Sequence, residues 1–322
     1  MSIVPPAWPE PRDIERIDAL LKGAIDLHCH SGPSVMPRKL DHIEALKDAA
    51  SAGMRAMLIK DHYYSATPVT QLLNDHYGHL HCTLLSGVPL NNASGGFNLY
   101  AVDHGLNLGA RLVWMPTFSA ANHLAQDHKA KQGFPESKMP LVPPEPLTAI
   151  EPDGSVRDDV KRILDLIAKH DAVLSGGHLH ISEIFKVFEE AKARGVKRLL
   201  INHPTYILGA THDDIRAAVA MGAFIEHSFC MFIRMPNSPA VHFTAETLQG
   251  LITAGTIERT ILSSDLGQAW NAMPVEGFRS IIQVCIDLGY SDADIRRMVS
   301  LNAAELMGLD MAKAAEPKLE TV

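Results

Sequence analysis

The chain has 322 residues, of which 46% are hydrophobic, and its formal net charge at pH 7 is -8. An acidic chain without a long basic run argues against nucleic acid and anionic membranes as partners. No basic segment followed by an apolar stretch opens the chain, and no uncharged span approaches about 18 apolar residues, so we expect a cytoplasmic protein. The four cysteines are scattered without paired spacing, which fits a reducing compartment.

The predicted elements alternate between apolar strands and helices along most of the chain. Residues 1–23 form a lead-in, Pro-rich at first and then helical. Eight apolar runs follow, and helical stretches that end near a glycine separate most of them. The predicted strands are 24–30, 55–60, 82–89, 110–117, 172–176, 197–202, 223–227 and 260–264. This alternation predicts the α/β class, with residues 1–322 forming a single (β/α)8 TIM barrel domain.

One interval departs from the alternation. Between the fourth and fifth strands, residues 118–155 contain a short polar helix and a Pro-rich tract. A loop of this length inside a compact domain usually covers a functional site or a partner. We interpret it as a long insertion after strand 4 that serves as a lid or as a contact between subunits of a homo-oligomer. A plain surface excursion is the alternative interpretation.

Polar side chains follow the predicted strands at one end of the barrel. The carboxyl ends of all the strands open onto one face, so residues there converge although they are far apart in sequence. These residues are His28, His30, Lys60, His178, His203, Glu226 and Asp265. His28 and His30 are two positions apart on one strand and can therefore present two imidazoles to one metal ion. Imidazoles with a carboxylate predict a divalent metal, with Zn²⁺ best matched and Mn²⁺, Fe²⁺ or Co²⁺ adequate.

These residues make the chain resemble the amidohydrolase superfamily of metal-dependent hydrolases. The resemblance extends over residues 24–309. Its features are His28-Cys29-His30, His178, His203, Asp265 and the closing segment LNAAELMGL at 301–309. It implies that the catalytic metal is held by His28, His30, His178 and Asp265. It also implies that His203 binds a second ion or polarises the substrate carbonyl, and that Asp265 acts as base and then acid around a metal-activated water.

The fourth strand departs from the pattern of many relatives with two metals. They carry a bridging carboxylated lysine or glutamate there, whereas this strand ends in Trp114-Met115-Pro116-Thr117. Either the site holds one ion, or the bridge comes from elsewhere. Lys60 could supply a carbamate or remain a cation that pairs with a substrate carboxylate. Glu226 could bridge two ions or hydrogen-bond a ligand histidine.

Three further residues are candidates for the substrate pocket. Arg38 and Arg234 lie in loops after the first and seventh strands, where each could bind an anionic substrate or form a surface salt bridge. His62 follows the second strand and is a candidate pocket residue. The resulting hypothesis is a hydrolase that cleaves a C–N or C–O bond next to a carbonyl in a small amide, cyclic imide or lactone. Two alternatives stay open: a metal-dependent decarboxylase or hydratase, and a non-catalytic metal-binding barrel.

Overall fold

A computed structural model describes residues 10–130, 137–232 and 244–310. The strands are β1 (Ile25–Cys29), β2 (Ala56–Ile59), β3 (Thr83–Pro89), β4 (Leu112–Trp114), β5 (Val173–Ser175), β6 (Arg198–Asn202), β7 (Phe224–Ser228) and β8 (Thr260–Ser263). The helices are α1 (Ile14–Leu21), α2 (His42–Ser51), α3 (Thr67–Tyr77), α4 (Leu99–Asn107), α5 (Ala121–Ala130), α6 (Asp158–Lys169), α7 (Ile181–Ala193), α8 (His212–Ala220), α9 (Ala245–Gly255), α10 (Pro274–Asp287), α11 (Asp292–Arg296) and α12 (Asn302–Met307). None of the helices in the described residues combines the length and the apolar composition of a membrane-spanning segment.

The strands form one sheet in sequence order, and every neighbouring pair is parallel. The sheet closes where the chain after β8 meets β1. There the Asp265 amide donates to the His28 carbonyl at 2.7 Å, and the His30 amide donates to the Leu266 carbonyl at 2.8 Å. Each predicted strand is present, with bounds that differ by no more than a few residues. The predicted (β/α)8 barrel is therefore confirmed.

The strands are buried on both faces, which explains why they read as continuous apolar runs. One set of side chains fills the barrel interior and includes Leu27, Leu58 and Trp114. Residues of α12 close this interior core, among them Ala303 and Met307. The opposite set packs against the surrounding helices in two further clusters. A filled interior leaves room for polar chemistry only at the ends of the strands.

After β4 the chain leaves the barrel in the predicted insertion. It forms α5 and later an extended segment that returns beside the start of that helix. The Leu147 amide donates to the Ser119 carbonyl, and the Ala121 amide donates to the Leu147 carbonyl, both at 2.8 Å. The Thr148 hydroxyl donates to Glu183 on α7 at 2.7 Å. Hydrogen bonds therefore hold the two ends of the insertion together and attach it to α7, the helix that follows β5.

Candidate metal centre

His28 and His30, at the end of β1, both direct their Nε2 atoms toward the Asp265 carboxylate, while their Nδ1 atoms bond elsewhere. Nδ1 of His28 lies 2.8 Å from the Glu226 carboxylate. Nδ1 of His30 lies 2.8 Å from the Lys60 carbonyl oxygen and donates its proton to it. The two Nε2 atoms face Asp265, at 3.1 Å from its Oδ1 for His28 and 3.0 Å for His30. Metal-binding imidazoles are usually oriented in this way, by a carboxylate or a backbone carbonyl on the other nitrogen.

His28, His30 and Asp265 form a compact group of potential metal ligands. Each offers one donor atom, all three atoms lie within 4.8 Å of one another, and all three residues are buried. Metal–ligand bonds of about 2.1 Å place neighbouring donor atoms on one ion about 3 Å apart. Two imidazole nitrogens and one carboxylate oxygen also suit zinc and similar divalent ions. The residues present therefore fit a divalent metal.

The backbone after β8 holds the Asp265 carboxylate at this point. Asp265 has a φ of 50°, in the left-handed region that few non-glycine residues adopt, with Asp among the more frequent of them. Gly267 follows with a φ of 117°, and a Cβ atom there would lie 1.6 Å from the His30 carbonyl oxygen. Only glycine lets the loop pass this close to β1. The close approach brings the carboxylate onto the two histidines.

Glu226, on β7, is buried and bonded on both of its carboxylate oxygens. Oε1 contacts His28 Nδ1 and accepts from the Ser228 hydroxyl at 2.7 Å, while Oε2 accepts from the Asn202 amide. Burial alone would raise the pKa of Glu226, but His28 and other neighbouring groups, among them His203, together outweigh burial and lower the pKa to about 2. Glu226 is therefore ionised in a position where it orients His28.

Lys60 follows β2 and faces the same donor atoms. Its Nζ lies 3.0 Å from His28 Nε2 and 5.6 Å from the centre of the Trp114 ring. Its side chain is buried, and burial lowers its pKa. The amine is therefore adjacent to the candidate metal ligands. This position is compatible with a carbamate that bridges two ions and with a cation that binds the substrate.

His178 and His203 line the same cavity at a greater distance. The ring centre of His203 lies 5.9 Å from that of His28 and 5.1 Å from that of His178. Burial lowers the pKa of His203 to about 4, so its imidazole is neutral at pH 7. Among the described residues, nothing hydrogen-bonds the buried Nδ1 of His203. Such an atom is commonly satisfied by an ion, a water or a ligand.

His178 is oriented by a residue that the sequence analysis did not identify. Nδ1 of His123, on α5 of the insertion, lies 2.9 Å from Nδ1 of His178, and the two rings stack with centres 4.9 Å apart. Both side chains are buried. The only signal in the sequence was a histidine within the polar helix of the insertion. This contact makes the insertion part of the candidate site.

The remaining predicted site residues separate into two groups. Arg38 and His62 line the cavity, which has a volume of about 50 Å³. The predicted residues that also line it are His28, His30, Lys60, His178, His203 and Asp265. His62 bonds through Nδ1 to the Thr117 hydroxyl at 2.8 Å. Arg234 lies outside the described residues.

A second cavity, of about 810 Å³, adjoins the cavity of about 50 Å³ around the candidate metal ligands, which is called the metal-centre cavity. His62 and Phe118 line both cavities, and their rings stack with centres 3.8 Å apart. The other walls include Phe97, from the loop after β3, and Val142 and Leu147, from the Pro-rich part of the insertion. The insertion therefore lines a space beside the candidate metal centre.

Several solved structures share this fold. An amidohydrolase from Pseudomonas aeruginosa has a TM-score of 0.60 at 11% identity, covering 93% of this chain and 98% of its own. The probable dipeptidase PvdM from the same organism has a TM-score of 0.61 at 10% identity, with the same coverage. An amidohydrolase from Burkholderia multivorans with bound zinc has a TM-score of 0.55 at 13% identity, covering 89% of this chain and 99% of its own. The protein thus shares its (β/α)8 barrel fold with these structures.

A protein-family model also matches this chain. The chain belongs to DUF6282, a family of unknown function, whose model matches residues 23–226. That match includes His28, His30, His178 and His203 but ends before Asp265. A comparison with curated proteins found no match.

Proposed function

We propose that the protein is a metal-dependent hydrolase that cleaves a C–N or C–O bond next to a carbonyl in a small molecule. Amides, cyclic imides and lactones are the proposed substrate types. One observation carries this proposal: the Nε2 atoms of His28 and His30 both lie close to the Asp265 carboxylate, and all three side chains are buried. The (β/α)8 barrel supports it, since such barrels place their chemistry at this end of the strands.

The proposed cofactor is a divalent metal, with zinc preferred. Nitrogen and oxygen donors of this kind match zinc, and the Burkholderia multivorans amidohydrolase has zinc bound. His28, His30, His178 and Asp265 would hold the first ion. Glu226 would orient His28 from the other ring nitrogen. When bound, the metal would lower the pKa of a coordinated water toward about 7 and polarise the substrate carbonyl.

Asp265 would move the proton in this reaction. Burial alone would raise the pKa of its carboxyl, but the neighbouring His28, His30 and His203 imidazoles together hold the pKa well below its usual range. The carboxylate is therefore ionised at neutral pH and can accept a proton. Oδ1 faces the two histidines, so we assign Oδ2 to the transfer. A low pKa also makes the protonated group a strong acid toward the leaving atom.

His203 and Lys60 would contact the substrate. His203 is neutral and lines the cavity, so its imidazole would polarise the carbonyl oxygen. Binding of a second ion is the other role that its position permits. Lys60 would act as a cation toward an anionic part of the substrate, because a buried ammonium beside the cavity needs a negative partner.

Metal content and turnover test this proposal together. We expect purified protein to contain metal in roughly stoichiometric amount by mass spectrometry and to hydrolyse a member of an amide, cyclic imide and lactone panel. A chelator should stop turnover, and added Zn²⁺ should restore it. Asp213→Asn, at a side chain that is 89% exposed, is the control for Asp265→Asn, which should abolish turnover. Stoichiometric metal with no hydrolysis would contradict the proposal, and carbon dioxide release would identify a decarboxylase.

We also propose a reducing, cytoplasmic compartment. Its support is that the four cysteines are free and buried. Cysteines without disulfide partners are usual where thiols are kept reduced. The homo-oligomer that the insertion suggested stays a prediction.

A further inference from the structure

Arg38 is a buried cation in the wall of the metal-centre cavity. Its side chain is only 5% exposed, and it shares the cavity with Lys60, His203 and Asp265. A guanidinium carries five N–H donors and stays charged at physiological pH. Burying such a group is costly unless negative charge and hydrogen bonds compensate it. The partners of Arg38 therefore show whether the protein alone supplies that compensation.

The described residues supply little of the negative charge and few of the hydrogen bonds that would compensate the buried Arg38 guanidinium. Nη2 of Arg38 lies 3.4 Å from Asp61 Oδ2, whereas charge-assisted bonds of this type are usually about 2.7–2.9 Å long. Nε is buried and has no hydrogen-bond partner in the described part of the chain. Asp61 is also engaged elsewhere, because its Oδ1 accepts from the Tyr63 amide at 2.8 Å. Arg38 thus retains donor capacity that an anion in the cavity could use.

The backbone holds Arg38 beside the loop that carries Asp265. Arg38 and Gln268 form an antiparallel bridge, and the Lys39 amide donates to the Gly267 carbonyl at 2.9 Å. The Gln268 side chain donates to the Asp265 carbonyl at 2.8 Å. Because these contacts fix the backbone on which the guanidinium is carried, less ordering is needed when a ligand binds.

Arg38 shares the wall of the cavity with Lys60, whose side chain is also buried. Two basic side chains in one cavity wall favour an anionic ligand. A carboxylate offers opposite charge and two oxygens in one plane, which matches the geometry of a guanidinium.

We propose that Arg38 binds a carboxylate group of the substrate, so that the substrates are small organic acids. The carboxylate would lie on Arg38 while the bond to be cleaved lies at the metal centre. The cleavage part of this assignment rests on the proposed function. Binding of the acid does not, because a guanidinium holds a carboxylate without a metal.

Two hydroxamates separate the contribution of Arg38 from that of the metal. Acetohydroxamic acid can chelate the ion, and succinic monohydroxamic acid adds a terminal carboxylate. Each is titrated into metal-loaded protein by calorimetry. The added carboxylate should tighten binding to the wild type by about tenfold or more, the effect of a charge-assisted bond. Arg38→Met should remove that gain and leave acetohydroxamate binding unchanged.

Further variants identify the chemistry at Arg38. Arg38→Lys should keep part of the gain, since an ammonium has the charge but lacks the planar fork. Arg216→Met, at a side chain that is 57% exposed, is the control and should keep all of it. Arg38→Met leaves Asp61 without its cation, so the double variant Arg38→Met with Asp61→Asn provides the same test if the single variant does not fold.

The outcomes distinguish this inference from the proposed function. Equal wild-type affinity for the two hydroxamates, or a gain that survives Arg38→Met, overturns the assignment. If neither hydroxamate binds because the protein holds no metal, the proposed function fails. Succinate titrated into chelator-treated protein then decides the role of Arg38: loss of binding in Arg38→Met supports it, and unchanged or absent binding overturns it. A terminal phosphonate that binds more tightly than the carboxylate also overturns it.

Discussion

The hydrogen bond between His123 and His178 determines which nitrogen of His178 is available to a metal. Burial lowers the pKa of His123 to about 4 and that of His178 well below its usual range, so both rings are neutral at pH 7. Their Nδ1 atoms are 2.9 Å apart, so one Nδ1 must carry a proton and the other must be bare. For His178 to offer a bare Nε2, its Nδ1 must donate to His123.

We therefore expect His123→Leu to weaken metal binding. The substitution removes the acceptor that keeps His178 in the required tautomer while filling the space with an apolar side chain. Partners of this kind contribute about 10–100-fold to metal affinity, which corresponds to about 1.4–2.7 kcal/mol. His123→Asn places an oxygen near the position of Nδ1 and should recover most of the loss. Competition with a chromophoric chelator measures the Zn²⁺ dissociation constant of each variant.

A spectroscopic measurement separates this role from general destabilisation. The visible spectrum of Co²⁺-substituted protein reports coordination, and it should change in His123→Leu but not in His123→Asn. His76→Leu, at an exposed histidine on α3, is the control and should match the wild type. The reasoning is refuted if folded His123→Leu binds Zn²⁺ as tightly as the wild type, or if the Asn and Leu variants are equally weak.

Three other substitutions test the remaining parts of the site and its surroundings. Asp265→Asn should abolish measurable turnover, because the acid–base role alone contributes about 10²–10⁴-fold to kcat, with an unchanged circular dichroism spectrum; a kcat near that of the wild type contradicts its role. Glu226→Gln removes the negative charge that orients His28, so chelator competition should show metal affinity at least about tenfold weaker, and an unchanged affinity argues against orientation. Burial lowers the pKa of His227 to about 4 in the folded protein, whereas the unfolded chain takes up a proton near pH 6.5. Its contribution to the free energy of unfolding should therefore fall by about 3 kcal/mol as pH drops from 6.5 to 4, and urea titrations of metal-free His227→Gln should lack this part of the decrease.

The barrel and most of its strand-end residues were predictable from sequence. Strands buried on both faces appear as apolar runs, and parallel strands in a closed sheet bring their carboxyl ends to one face. Those two rules predict that His28, His30, His203 and Asp265 share one cavity, and all four line it. The insertion was also predictable, because a long Pro-rich interval interrupts an otherwise regular alternation.

The chemical state of each side chain depended on contacts between distant segments. The sequence left Glu226 as either a bridge or an orienting residue, and the structure places it 2.8 Å from Nδ1 of a histidine 198 residues away. It also brings His123 from the insertion onto His178 and sets Asp61 beside Arg38. Local periodicity reports which face of an element is buried, but it carries no information on the paths by which separate loops meet. The sequence alone therefore determined the scaffold and the set of candidate ligands, whereas tertiary packing decided which atoms of those ligands face one another.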